Sequence, residues 1–365
     1  MRTFAARMRL VAALSVICVG VFLAAPAFAA VPVFAAAPVR IMALGDSVTD
    51  GLTLPDGTPG SYRNDLWQLM KSDGYPVDFV GSQSSGEPPL GDPAHEGHPD
   101  WTIAQLDAQL AGWLTTYQPD VILLHAGTDD IAGHSTAEQA AAALSTLVGH
   151  IVAARPTAQV FVGTLLATPN DVLNPQFVQF NKAVPGIVAS KGRNIHLVDM
   201  FPALTAADFA DPLHPTGGGY AKMAVRWYSA LLGAPLSHIE AESGTRTNAA
   251  LVSTTTASGG VKVGALTASG SSLVLRFHAA KSGDERVYLR ADNGTGAPCD
   301  EQVWGKDGVP ITVTYAGFAD WNFWGTTAVT ISASPGDNTF TFAGGTCRAE
   351  IDAVSIAPVT TSPYL

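Results

Sequence analysis

The chain has 365 residues, of which 47% are apolar and 14% charged. That excludes a disordered protein or a small disulfide scaffold, and it leaves room for about two domains of roughly 150 residues each. The formal net charge is −11 with no basic cluster, which excludes nucleic acid as a natural partner because an acidic chain repels phosphate backbones.

The N-terminus reads as a secretory signal peptide over residues 1–29. Arg2, Arg7 and Arg9 precede an apolar run from Leu10 to Ala24, and the small-residue pattern Ala27-Phe28-Ala29 follows. A retained anchor is the alternative, but the apolar core is short for a span and a cleavage pattern adjoins it. Removing the three arginines takes the charge from −11 to −14. The expected mature protein is secreted and extracellular, with no membrane contact after cleavage. Cys18 leaves with the signal, so Cys299 and Cys347 remain. In an oxidising compartment an isolated pair is most simply one disulfide, closing a loop of about 49 residues worth roughly 4 kcal/mol. Two separate buried thiols are the alternative.

Residues 30–37 form a short tail, and a first domain is expected over 38–233. Its strand candidates are Val39–Leu44, Val77–Val80, Val121–His125, Val160–Leu165 and Ile195–Val198, with helical stretches between them. Ser135 and Glu138 have the spacing of a capping box, opening a helix to Arg155 that Pro156 ends. A last helix is expected from Gly218 to Leu232, stopping at Gly233. Strands alternating with helices predict a parallel sheet covered on both faces, with working residues on the loops after the strands.

After a linker at 234–238 the pattern changes. Residues 239–358 are rich in Thr, Ser, Val and Gly, with short runs at Ser272–Phe277, Arg286–Ala291, Ile311–Tyr315, Ala328–Ala333 and Thr339–Ala343. Turn signals separate them, which predicts an antiparallel β-sandwich. The linker is short, so the two domains are expected to touch. Residues 359–365 form a tail.

The first strand runs into Gly45-Asp46-Ser47-Val48-Thr49-Asp50-Gly51. A serine placed there exposes its hydroxyl at the sheet's edge, but that hydroxyl is a weak nucleophile without a base. Alone it reads better as a helix cap in a polar turn. Asp211-Pro212-Leu213-His214-Pro215 supplies the missing partners. An aspartate three residues before a histidine, in a turn stiffened by prolines, can hold Nδ1–H and leave Nε2 to take the serine proton.

Together these segments resemble the GDSL/SGNH hydrolases. Val80-Gly81-Ser82 and Gly127-Thr128-Asp129-Asp130 match two intermediate blocks of that family. The segment His95-Glu96-Gly97-His98-Pro99-Asp100-Trp101-Thr102-Ile103 is similar to carbohydrate esterase family three, which contains acetylxylan esterases. The resemblance implies a flavodoxin-like α/β fold and no cofactor for catalysis. It makes Ser47 the nucleophile, His214 the general base and Asp211 its orienter. The oxyanion donors would be Ser47, Gly81 and the residue at 129. In the family that last residue is asparagine; here it is Asp129. An ionised aspartate cannot donate, and losing one donor costs about 10²–10³ in rate. Asp129 is therefore protonated, turned away or a handicap, and Asp130 is a neighbour that could share a proton. The pair His95 and His98 has the wrong spacing and backbone for a zinc helix, and reads as structural hydrogen bonding or pocket wall.

The second domain resembles carbohydrate-binding modules of families six and thirty-five, through Ile239-Glu240-Ala241-Glu242 at its start and Glu350-Ile351-Asp352 at its end. That resemblance implies a structural calcium held by Glu240, Glu242 and Asp352, hard oxygens that suit the ion. Glu350 stands where related modules carry asparagine. Of the tryptophans in Trp321-Asn322-Phe323-Trp324, Trp324 is assigned to the core and Trp321 to the ligand. The expected partner is acetylated polysaccharide such as xylan, and the expected state a monomer. Two further readings compete with a polysaccharide esterase: a lipase-like enzyme of the same superfamily, and a glycan-binding protein with a degenerate hydrolase domain.

Overall fold

The computed structural model describes residues 37–51, 60–86, 89–267, 270–343 and 345–365. The expected signal peptide and its cleavage site lie outside these residues.

The first half is built from β1 (Val39–Gly45), α1 (Ser47–Asp50), α2 (Ser61–Ser72), β2 (Val77–Phe79), β3 (Gln83–Ser84) and β4 (Ala94–Gly97), followed by α3 (Ile103–Tyr117), β5 (Val121–His125), α4 (Thr128–Ala132) and α5 (Ala137–Ala154). It ends with β6 (Gln159–Gly163), α6 (Asn174–Ser190), β7 (Ile195–Val198) and α7 (Gly217–Leu232). The strands form a sheet in the order β3-β4-β1-β5-β6-β7, with β2 beside β1. Every pair is parallel except β3 with β4.

The burial pattern follows from strand alternation. Ile41, Ala43, Val121 and Leu123 point to one face, where α2 and α7 cover them with Tyr62, Leu66 and Trp227. Met42, Leu44, Ile122 and Leu124 point to the other, against α3, α5 and α6. A strand covered on both faces needs a continuous apolar run, which Val121–His125 supplies.

The second half is all-β. It comprises β8 (Ser237–Glu240), β9 (Thr245–Thr247), β10 (Ala250–Ser253), β11 (Val261–Gly264), β12 (Ser272–Ala279), β13 (Gly283–Asp292), β14 (Cys299–Trp304), β15 (Pro310–Tyr315), β16 (Trp324–Ala333), β17 (Gly336–Ala343) and β18 (Glu350–Pro358). One sheet runs β10-β11-β18-β13-β16 with β8 on β18, and the other β15-β14-β17-β12-β9. Phe340, Phe342, Leu289 and Ile356 fill the space between them. Cys299 and Cys347 are disulfide-bonded.

Several expected boundaries shift. The capping box is Thr136 with Gln139, one residue later than Ser135 and Glu138, and α5 starts at Ala137. Residues 135–139 contain both registers; Ser135 N–H is already committed to the Asp130 carbonyl, closing the turn after α4. The strand at 160–165 starts and ends earlier, at Gln159–Gly163. The run at 328–333 extends back to Trp324.

The halves do touch, and Ala37–Leu365 is one compact unit. Arg290 of β13 donates to Asp65 of α2 at 2.6 Å and to Asp352 of β18 at 2.6 Å. Asp73, after α2, accepts from Arg286 at 2.7 Å and from the Tyr288 hydroxyl at 2.6 Å. Tyr288 joins the same apolar cluster as α2 and α7. The tail returns to the first half, where Tyr364 packs edge-on against Phe161 at 5.1 Å. Removing either partner of a buried charge pair of this kind strands the other charge, so each single substitution is expected to destabilise the protein.

Candidate active site

Ser47 opens α1 directly after β1, at the C-terminal edge of the sheet. Asp46 caps this one-turn helix, its Oδ1 accepting from Val48 N–H at 3.0 Å. The N–H of Ser47 belongs to the first turn, whose donors have no partner within the helix. The end of α1 is held by Arg63 of α2. This fully buried guanidinium donates to the carbonyls of Thr49, Asp50, Ser85 and Pro93, tying the serine loop to the β3–β4 hairpin. Sequence reasoning missed it, because nothing local marks a helix arginine whose partners are distant carbonyls.

Ser47 Oγ lies 2.9 Å from His214 Nε2, and His214 Nδ1 lies 2.8 Å from Asp211 Oδ2. Asp211 Oδ1 also accepts from Leu213 N–H and His214 N–H, each at 2.8 Å. Burial would raise this carboxyl, but those hydrogen bonds and the facing histidine outweigh it and hold it below its usual range. The turn is braced from below: Thr216 N–H donates to the Asp208 carbonyl at 2.8 Å, and Lys222 pairs with the Asp208 carboxylate at 2.7 Å.

Gly81 follows β2. A Cβ there would sit 2.1 Å from the His95 carbonyl, so only glycine lets this backbone lie against β4. Next to it, Ser82 N–H donates to Glu96 Oε1 at 2.6 Å, and Ser82 Oγ to Glu96 Oε2 at 2.9 Å. His98 Nε2 lies 2.8 Å from Glu96 Oε2, and its ring stacks on Trp101 and Trp113 with centroids 4.3 and 4.9 Å away. His95 Nε2 lies 2.9 Å from Ser85 Oγ, and burial, then the charges of Arg63 and His98, depress its pKa to about 2. Both histidines therefore act as structural hydrogen-bonding groups.

Asp129 sits in the first turn of α4. Its Oδ2 is buried and, among the described residues, has no hydrogen-bond partner. Burial first, then the charge of Asp100, pushes its pKa up to about 6, with Asp130 adding and His214 opposing. Asp130 does not share a proton with it; its Oδ2 caps α3 by accepting from Ile103 N–H at 2.9 Å. The stronger acidic neighbour is Asp100, which holds a left-handed backbone at φ 64°. Asp46 lies close enough to feel Asp129, and burial with that charge lifts it to about 7. The edge of the serine site is thus crowded with carboxyls, which favours keeping some of them neutral.

Residues 43–222 match the GDSL-like lipase/acylhydrolase family. This stretch is a GDSL-type hydrolase domain. A multidomain esterase of Ruminococcus flavefaciens is 29% identical over 224 residues, covering 53% of this chain and 28% of that one. The chain therefore spans under a third of this relative. A family 3 carbohydrate esterase of Clostridium thermocellum is 35% identical, covering 53% of this chain and 94% of that one, with a TM-score of 0.48. A family 35 carbohydrate-binding module of the same organism is 23% identical, covering 33% and 98%, with a TM-score of 0.32.

Outside the hydrolase domain, Trp324 is buried at 5% exposure, under Arg290 at 4.2 Å, while Trp321 is 37% exposed. One face of the Trp321 ring is covered by Gly294, where a Cβ would come within 2.5 Å. Lys262 lies 5.7 Å from that ring and pairs with Glu350 at 2.8 Å, so the residue replacing asparagine there anchors a lysine.

Glu240, Glu242 and Asp352 converge enough to feel one another's charge. Among the described residues Glu242 Oε2 is buried without a hydrogen-bond partner, which suits a cation. The fit is partial. Asp352 already accepts from Arg290 and from Ser258 N–H at 2.7 Å, and Glu240 pairs with Lys222 at 3.4 Å. Among the described residues no group of three His, Cys, Asp or Glu is arranged to hold a metal. Nor does any described helix have the length and apolarity to cross a membrane.

Proposed function

We propose that this chain is a secreted serine esterase that removes acetyl groups from plant cell-wall polysaccharide, in the manner of an acetylxylan esterase. The observation that carries it is the hydrogen-bonded line Ser47 Oγ, His214, Asp211, with 2.9 and 2.8 Å between successive members. His214 Nε2 takes the Ser47 proton as Oγ attacks the acetyl carbonyl, and Asp211 holds the ring in the right tautomer. The oxyanion that forms accepts hydrogen bonds from Ser47 N–H, Gly81 N–H and the neutral Asp129 carboxyl. As the intermediate collapses and the bond from the acetyl carbon to the sugar oxygen breaks, His214 returns the proton to that oxygen, freeing the sugar hydroxyl and leaving acetyl-Ser47. Water, activated by the same histidine, releases acetate. The second domain holds the polysaccharide, with Trp321 as the exposed aromatic surface; a structural calcium at Glu240, Glu242 and Asp352 would have to displace Lys222 from Glu240 and Arg290 from Asp352. Catalysis by these groups requires no cofactor.

Support comes from the family match and the likeness to a carbohydrate esterase. The test is to quench the protein with acid during turnover of 4-nitrophenyl acetate and weigh its peptides. An acetyl group on the Ser47 peptide is expected. Turnover with the acetyl group on another residue, or surviving in Ser47→Ala, contradicts the mechanism.

A further inference from the structure

A cleft of about 300 Å³ lies where the two halves meet. One wall is hydrolase backbone and side chains at Asp208 and Thr216; the other is the sandwich loop bearing Ser253, Thr254 and Thr255. Its size is at the lower end of ligand pockets. We propose that this cleft is a second sugar subsite, taking a neutral stretch of the polysaccharide beyond the residue that is deacetylated. The inference rests on the esterase reading above and extends it to the polymer.

Three observations carry it. The first is position. Thr216 is two residues from His214, so one wall is continuous with the catalytic turn. The opposite wall leads to the exposed tryptophan: Thr254 and Thr256 hydroxyls contact Asn322, the neighbour of Trp321, at 3.4 Å each. A chain resting on Trp321 and presenting an acetyl group to Ser47 has this cleft between its two holds.

The second is chemistry. Ser253 and Thr255 are exposed, and their hydroxyls can both donate and accept, which suits a polyol. The one carboxylate in the lining, Asp208, is spent: Lys222 pairs with it at 2.7 Å, and Thr205 N–H donates to its other oxygen at 2.8 Å. The wall is therefore polar but neutral, and matches an uncharged sugar rather than a uronate chain.

The third is rigidity. The sandwich loop is fastened to the hydrolase, with Gly218 N–H donating to the Thr255 carbonyl at 3.3 Å and Lys222 reaching Glu240. A preformed cleft binds without the cost of ordering its walls.

The experiment measures xylohexaose binding by calorimetry to Ser47→Ala protein, which cannot turn over, alone and with Thr255→Tyr, Thr255→Ser or Trp321→Ala added. Tyrosine at 255 fills the cleft without touching the catalytic groups, and is expected to weaken binding about tenfold. Serine keeps the hydroxyl and is expected to bind like the parent, which separates cleft filling from a loosened interface. Unchanged affinity in Thr255→Tyr, with all loss in Trp321→Ala, overturns the proposal. Oligogalacturonate binding as tightly as xylohexaose overturns its neutral character. In active protein, Thr255→Tyr is expected to lower acetate release from acetylated xylan while leaving 4-nitrophenyl acetate turnover unchanged; equal effects on both overturn the subsite. Failure of wild type to cleave either ester refutes the esterase reading, whereas the binding comparison still judges the cleft.

Discussion

Two aspartates feel the charge of the same histidine, His214, and their surroundings give them opposite characters. Asp211 accepts from two backbone N–H groups and faces a histidine, so it is held ionised even though burial opposes it. Asp129 has a buried oxygen with no donor and Asp100 for company, so it is held toward the neutral form. The residue type is identical; the count of donors decides which carboxyl orients a histidine and which can itself donate. Neutral carboxyls used as hydrogen-bond donors to oxyanions follow the same principle.

The comparison breaks most visibly at Asp211. Asp211→Asn leaves a group of the same shape that can offer Nδ1 a donor instead of an acceptor, favouring the wrong tautomer. A loss on the order of 10⁴ in kcat is expected, with KM little changed. A loss below tenfold, measured on 4-nitrophenyl acetate, contradicts the orienting role.

Asp129 sharpens it. The neutral form dominates below about pH 6, so wild-type kcat is expected to fall as pH rises through that value. Asp129→Asn donates at every pH, and is expected to remove this fall and exceed wild type by about 10- to 100-fold at pH 8. The same sign holds for stability. A raised folded-state pKa means ionisation opposes folding, so Asp129 costs stability as pH climbs through about 6. The Tm of Asp129→Asn at pH 8 is then expected to exceed that of wild type. A variant slower than wild type at every pH contradicts the donor role.

Glu242 extends the comparison with the smallest expected effect. Like Asp129 it has a buried oxygen without a partner, and burial with the charges of Glu240 and Asp352 raises it. Millimolar calcium added after chelation is expected to raise the Tm by about 2–5 °C, and Glu242→Gln to abolish the shift. An unchanged Tm means that Arg290 and Lys222 neutralise the cluster without an ion.

What could be read from the chain depended on how local the physics was. Ser47, Asp211 and His214 were legible because each sits in a short motif whose chemistry needs its neighbours. The parallel sheet was legible because strands buried on both faces are continuous apolar runs. Helix starts were less so: residues 135–139 contain two overlapping capping patterns, and only the turn after α4 selects Thr136. Arg63, Asp100 and Lys222 were illegible, since their partners lie far away in sequence or appear only when loops meet. The sandwich strands β9, β10, β11 and β14 were missed as well. They are short or polar on one side, and their register comes from pairing rather than from their own residues.

The most direct test of the account is acetate release from acetylated xylan near pH 5, comparing wild type with Ser47→Ala. Steady release by wild type and a loss on the order of 10⁶ in the variant are expected. Equal release by both proteins would contradict it, because the hydrogen-bonded line from Ser47 to Asp211 would then have no part in the chemistry.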